Sequence, residues 1–204
     1  MIKQSTRRRG LLVSALAMAL LAPVAHAAPP PAAPDDMSLG NPHARVTVVE
    51  YASLGCPHCA TWAREVFPEF KKAYIDTGKV RFVFREMLFG DSTLAAAGFM
   101  AARCAGPKKY FEVVDGVFAN QAQIENGGVT ELLKVAQAAG MTEAQFKSCL
   151  ESQVALQALE ARADKRVTDD KITGTPTFIV GDKVLSGEQT LAQLSAAIAQ
   201  ARHR

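Results

Sequence analysis

Residues 46–52, Val-Thr-Val-Val-Glu-Tyr-Ala, are β-branched or apolar at almost every position, the pattern of a strand buried on both faces. Asn41-Pro42 marks a turn ahead of it. From Pro57 the period changes: Trp62, Val66, Phe67 and Phe70 recur at helical spacing. The fixed φ of Pro57 suits a first helical turn, and Pro68 is expected to kink the helix. Thr77-Gly78 then turns the chain into a second strand over 80–87. Strand, helix and strand in this order form the unit that makes a parallel pair.

Between 92 and 171 the texture becomes alanine-rich and helical, with no convincing strand. Candidate helices cover 94–104, 110–118, 131–139 and 145–167, separated by Gly106-Pro107, Gly127-Gly128 and Gly140. Thr142-Glu143-Ala144-Gln145 has the form of a capping box. Strand patterns return at 177–180 and 183–185 around a Gly181-Asp182 turn, followed by an amphipathic helix carrying Leu191, Leu194 and Ile198. The pattern is therefore β-α-β, a helical stretch, and β-β-α, without internal repeats.

The first residues read as an export signal. Lys3, Arg7, Arg8 and Arg9 form a basic region, 11–21 an apolar one, and Ala25-His26-Ala27 a small-residue cleavage site. Cleavage is expected after Ala27, leaving 28–39 as a flexible Pro/Ala-rich tether. Arg8-Arg9-Gly10-Leu11-Leu12 fits a twin-arginine signal loosely, and an arginine-rich Sec leader accounts for the same residues. Removing 1–27 takes away four positive charges and no negative ones, so the formal charge falls from +3 to −1. Lys and Arg are otherwise scattered among acids, which argues against a nucleic-acid surface. The remaining 177 residues suit one domain, or one domain with an insertion. Four cysteines in an exported chain permit two disulfide pairs, Cys56 with Cys59 and Cys104 with Cys149.

Cys56-Pro57-His58-Cys59 places two thiols one helical turn apart, where a strand hands over to a helix N-terminus. Free N–H groups and the positive end of the helix dipole favour an anion at Cys56, while Cys59 lies deeper. Cys56 is therefore the reactive sulfur. Lowering a thiol from about 8.5 into the range of roughly 3.5 to 7.5 stabilises the thiolate by about 1.4 to 7 kcal/mol, which favours the reduced protein and makes its disulfide oxidising. His58 can add a donor or a positive charge. A structural zinc site would need a second Cys/His pair nearby, and none is present in the sequence.

Glu50, Cys56-Pro57-His58-Cys59, Trp62 and Gly174-Thr175-Pro176-Thr177-Phe178, in this order and setting, resemble the DsbA-like members of the thioredoxin superfamily. The resemblance runs from about residue 40 to the last helix. It implies an α/β thioredoxin fold with an inserted all-helical domain: the N-terminal half at 40–91, the insertion at 92–171 and the C-terminal half at 172–204. It further implies dithiol exchange without metal or organic cofactor. Glu50 has the spacing of the family's buried acid beneath the resolving cysteine, where it would help move the Cys59 proton; alternatively it is an acid at a strand end reaching solvent. The resemblance makes Thr175-Pro176 the family's cis proline beside the dithiol, where the preceding backbone pairs with an extended substrate and Thr175 contacts both the sulfur and the substrate, whereas an arbitrary X-Pro bond is trans.

Cys104 and Cys149 read as a structural disulfide contributing about 4 kcal/mol in the chain-entropy model, or as two buried thiols. Trp62, Phe82, Phe84 and Phe178 read as core. The expected protein is a periplasmic, monomeric dithiol oxidase that acts on exported proteins with reduced cysteines and is recharged by a DsbB-type membrane oxidase. Two alternatives stay open: a disulfide isomerase or reductase, which Thr175 before the proline suits, and a metal-binding chaperone using Cys56, His58 and Cys59.

Overall fold

The structure, a computed structural model, describes residues 33–203. The expected leader and residues 28–32 of the tether lie outside the described residues. Two strands rich in β-branched and aromatic residues, β2 (Val46–Ala52) and β3 (Val80–Glu86), pair in parallel with Glu50 opposite Phe84. Between them runs α1 (Pro57–Glu65), whose cap residue is Cys56 and whose first turn holds Pro57. The helix breaks at Val66, resumes as α2 (Phe67–Phe70) and ends in a π-helical turn over Lys71–Ile75, closed by the Asp76 N–H on the Lys71 carbonyl. Pro68, in the first turn of α2, lacks the N–H needed to continue the helical ladder.

The second half supplies β4 (Thr177–Val180), β5 (Lys183–Ser186) and α9 (Leu191–Arg202). β4 lies antiparallel to β2, with Phe178 opposite Glu50, and β5 antiparallel to β4. Glu50 is thus flanked on both neighbouring strands by phenylalanine. The β-α-β and β-β-α halves close one sheet with helices between them in sequence, the thioredoxin arrangement with a helical insertion.

One stretch of the expected tether is a strand instead. β1 (Met37–Gly40) pairs antiparallel with the far edge of β3, giving the sheet order β1-β3-β2-β4-β5. Just before it, the Asp36 carboxylate is buried against Arg85 at 2.9 Å and Arg166 at 2.7 Å. Edge pairing and this ion cluster hold a segment whose own sequence is too short and polar to announce a strand.

Between β3 and β4 lie α3 (Ser92–Cys104), α4 (Tyr110–Ala119), α5 (Gln121–Gly127), α6 (Val129–Ala138), α7 (Glu143–Leu150) and α8 (Gln153–Asp169). The continuous helix expected over 145–167 is two helices. Ser152 accepts a hydrogen bond from the Ala155 N–H and so restarts the chain as a new helix. α7 opens with the Thr142–Gln145 capping box. Cys104 at the end of α3 is bonded to Cys149 near the end of α7, with the Cα atoms 6.2 Å apart.

Alternation along β2 assigns the two faces of the sheet. Val48 and Ala52 belong to a large core with Cys59, Trp62, Phe82, Phe84 and Phe178. Val49 and Tyr51 join Val83, Met87, Ile172 and Ile179 on the opposite side. Glu50 shares the parity of Val48 and Ala52, so its carboxylate enters the face that carries the cysteines.

Candidate active site

The dithiol stands where β2 ends. Cys56 is extended (φ −103°, ψ 118°), accepts the Ala60 N–H at 3.2 Å and donates its own N–H to the Ser53 carbonyl at 3.1 Å. This cap leaves the first-turn N–H groups of His58 and Cys59 facing the Cys56 sulfur. Cys56 retains 7% of its surface and Cys59 none, which decides which sulfur a large substrate can reach. Both are free thiols here.

The two thiols are pushed in opposite directions. Cys56 is lowered to about 5, chiefly by the hydrogen bond from the Cys59 thiol; burial opposes this, and the Thr175 side chain with the backbone N–H groups of Cys59 and His58 adds to the lowering. Cys59 is raised far above the ordinary thiol range, first by burial and then by its bond to Cys56 and the charge of Glu50. One sulfur is an accessible thiolate near neutrality. The other holds its proton.

Thr175 lies across from the dithiol: the Cys56 thiol donates to its carbonyl at 3.4 Å. The Thr175-Pro176 bond is cis. Pro176 accepts the Gly187 N–H at 2.8 Å and Thr177 donates its hydroxyl to Gly174, which ties the β5–α9 loop to this turn. The same loop accepts the Trp62 indole N–H on the Gln189 carbonyl at 2.9 Å. It also carries Glu188, whose carboxylate receives the His58 Nδ1–H at 2.6 Å. That hydrogen bond, followed by the charge of Glu188, raises the pKa of His58. Nothing local in the sequence marks Glu188, which lies 130 positions from His58.

Beneath the dithiol, Glu50 is 2% exposed, and its Oε1 is buried without a hydrogen-bond partner. Its pKa is raised well above the carboxylate range, first by burial and then by the charges of Asp115 and Cys56. Asp115, on α4, was not singled out by the sequence pattern. From above, the loop leading into α3 presses on the active-site turn, with the Asp91 N–H on the Gly55 carbonyl at 3.0 Å. A Cβ at Gly55 would collide with the Asp91 backbone. The turn before Cys56 and the first inserted helix therefore fit together through glycine.

The structure thus gathers Glu50, Cys56, His58, Cys59 and Thr175 around one sulfur pair and sets Cys104 and Cys149 apart in the helical layer. Among the described residues, no three His, Cys, Asp or Glu side chains are grouped to hold a metal ion.

This geometry agrees with the relationships of the chain. A family model described as Thioredoxin matches residues 32–200. The chain belongs to the thioredoxin family. It is 30% identical over 152 residues to disulfide bond formation protein D of Bacillus subtilis, an alignment covering 72% of this chain and 68% of that protein. A Rickettsia felis protein named "Putative protein-disulfide oxidoreductase" is 35% identical over 170 residues, covering 82% of this chain and 60% of the relative. The chain therefore spans less than two thirds of that relative's length. Among solved structures, Wolbachia pipientis alpha-DsbA1 superposes with a TM-score of 0.77 at 25% identity, covering 84% of this chain and 93% of that one. The DsbA-like branch of the thioredoxin family is where both the sequence and the fold place it.

Proposed function

We propose that this protein is a thiol-disulfide oxidoreductase of exported proteins, working as a dithiol oxidase through Cys56 and Cys59. The observation that carries the proposal is the opposite displacement of the two thiols, with Cys56 lowered to about 5 and Cys59 raised. A sulfur that is stable as an anion is a good leaving group, so a mixed disulfide at Cys56 releases its substrate as a disulfide readily.

In the oxidised protein a substrate thiolate attacks Cys56 Sγ. A substrate–Cys56 disulfide forms, the Cys56–Cys59 bond breaks, and Cys59 leaves with the electron pair and takes a proton from Glu50. A second substrate thiolate then attacks the substrate sulfur of the mixed disulfide. The substrate gains a disulfide, and Cys56 departs as a thiolate held by the Cys59 thiol and the helix N–H groups. The Thr175 carbonyl beside Cys56 suits pairing with an extended substrate backbone. An oxidant outside the chain must recharge the dithiol, and the DsbB-type membrane oxidases are the class expected to supply it. The exported setting of such substrates accords with the leader-like first 27 residues. Cys104–Cys149 serves as a structural tie between α3 and α7.

Peptide oxidation by the single-cysteine variants tests this reading. Cys59→Ala, offered a peptide that already carries a disulfide, should hold one peptide sulfur as a mixed disulfide at Cys56 and free the other as a thiol, visible by mass, and Cys56→Ala should oxidise no dithiol peptide. Oxidation surviving in Cys56→Ala would sink the proposal. Isomerisation, which Thr175 before Pro176 suits, predicts instead that the reduced protein reactivates scrambled ribonuclease faster than the oxidised protein oxidises a dithiol peptide.

A further inference from the structure

Resting on the role of Glu50 just proposed, we infer that Asp115 on α4 is the outlet through which the buried Glu50 carboxyl exchanges its proton with solvent. The inference begins from a problem of access. Glu50 lies between Phe84 and Phe178 on the neighbouring strands and is almost wholly buried, so a proton handed over by Cys59 has no direct way out.

The structure provides one through a cavity whose lining includes neither Cys56 nor Cys59. Glu50 and Asp115 line the same small cavity, walled by Trp62, Phe67, Phe111 and Phe118, with about 10 Å³ of room for the centre of a water. That is about the space one buried water needs, and such a water requires polar partners. Glu50 Oε1 is an acceptor without a partner, and Asp115 is the other carboxyl in the wall, where the Trp62 indole N–H is already held by the Gln189 carbonyl. Asp115 also lines a separate surface groove of about 340 Å³ beside Pro68, Lys71 and Ala119. Of the four residues common to both walls, the others being Ala63, Phe67 and Phe118, it alone can carry a proton.

Asp115 is exposed on its outer side, yet its carboxyl is crowded by apolar neighbours. This desolvation raises it to about 6, with Lys71 pulling it back. The charged groups bearing on Glu50 are Asp115 and Cys56; Cys59 faces it from α1; Lys71 acts on Asp115. The facing residues of β3 and β4 are phenylalanines.

The step balances in both directions. When Cys59 attacks Cys56 to expel a bound thiol, the Cys59 proton passes to the Glu50 carboxylate, from Glu50 through a water to the Asp115 carboxylate, and from Asp115 to solvent. When Cys59 is the leaving group, the same proton returns. Asp115 touches no reacting sulfur, so it is a positioning residue for that proton.

The test uses the reduced protein and oxidised glutathione, following by mass the glutathione mixed disulfide at Cys56 and its expulsion by Cys59 across pH. Asp115→Asn should slow expulsion about tenfold, short of the roughly 100-fold loss shown by a directly acting acid or base. It should also abolish the rise in rate as pH passes through about 6, while the first attack by Cys56 and the Cys56 thiolate titration stay unchanged. Asp115→Glu should restore the rate, and Asp115→Asn should add nothing in a Glu50→Gln background. Wild-type expulsion in Asp115→Asn beside a slow Glu50→Gln variant overturns the outlet and leaves the Glu50 role standing. Additive losses in the double variant also overturn the outlet. Wild-type expulsion in Glu50→Gln overturns both.

Discussion

At the scale of single residues, the chemistry turns on how one turn of backbone treats two identical side chains. Cys56 ends a strand and caps a helix, while Cys59 is one turn further in and reaches no solvent. The 240 nm thiolate absorbance of the reduced protein should titrate near pH 5; a midpoint near the ordinary thiol value would contradict the assigned asymmetry. The sign for stability follows from linkage. A thiol whose pKa is depressed by folding stabilises the reduced protein fully above the unfolded value, and that stability is lost as pH falls through about 5. Set against an ordinary thiol near 9, this contributes no more than about 3 kcal/mol at pH 7, less what solvent screens at the partly open sulfur. His58 belongs to the same balance. Glu188→Gln should lower the His58 pKa, read from the imidazole proton shifts by NMR, because it replaces the charged acceptor at 2.6 Å with a neutral one. An unchanged titration would mean that the pair does not persist in solution.

At the scale of elements, Cys56-Pro57-His58-Cys59 could be read from the chain because it follows a strand and opens a helix whose hydrophobic patterns are strong and local, whereas Glu50, inside β2, and Thr175-Pro176, ahead of β4, were legible only through the family resemblance. Other features depend on partners far away in sequence. β1 was hidden because Met37, Ser38, Leu39 and Gly40 are a strand only against the edge of β3. The break between α7 and α8 had a local sign, Ser152 before Ala155, outweighed by an unbroken run of helix formers. The buried ion cluster had none: Arg85 meets Asp36 and Asp170, and Glu86 meets Arg103 and Arg162, all across different elements. Removing one member of such a buried set is costly because the others keep their charge. Asp36→Ala should therefore lower unfolding stability by about 3 kcal/mol, measured by urea denaturation, and loosen the strand it precedes. A loss below about 0.5 kcal/mol, the range of ordinary surface substitutions, would show that the cluster does not anchor β1.

At the scale of the whole molecule, the thioredoxin sheet holds the dithiol from below and the inserted helices close over it. The sheet contributes Glu50 and the Thr175 turn; α3 reaches the turn before Cys56 through Asp91 and Gly55; α4 brings Asp115 beside Glu50. Of these, Glu50 and Thr175 act on the two thiols themselves and so on how strongly the reduced state is favoured and on the direction of exchange. The direct measurement is the equilibrium redox potential of Cys56 and Cys59 against glutathione at pH 7. A thioredoxin-like dithiol with a thiol near 7 has a potential of about −270 mV, and a DsbA-like one with a thiol near 3.5 about −120 mV. A Cys56 value of about 5 lies between the two. A potential above about −200 mV, with the reduced protein the more stable redox form in denaturant, is the predicted result. A lower potential, with the oxidised protein the more stable form, would contradict the proposal that it works as an oxidase.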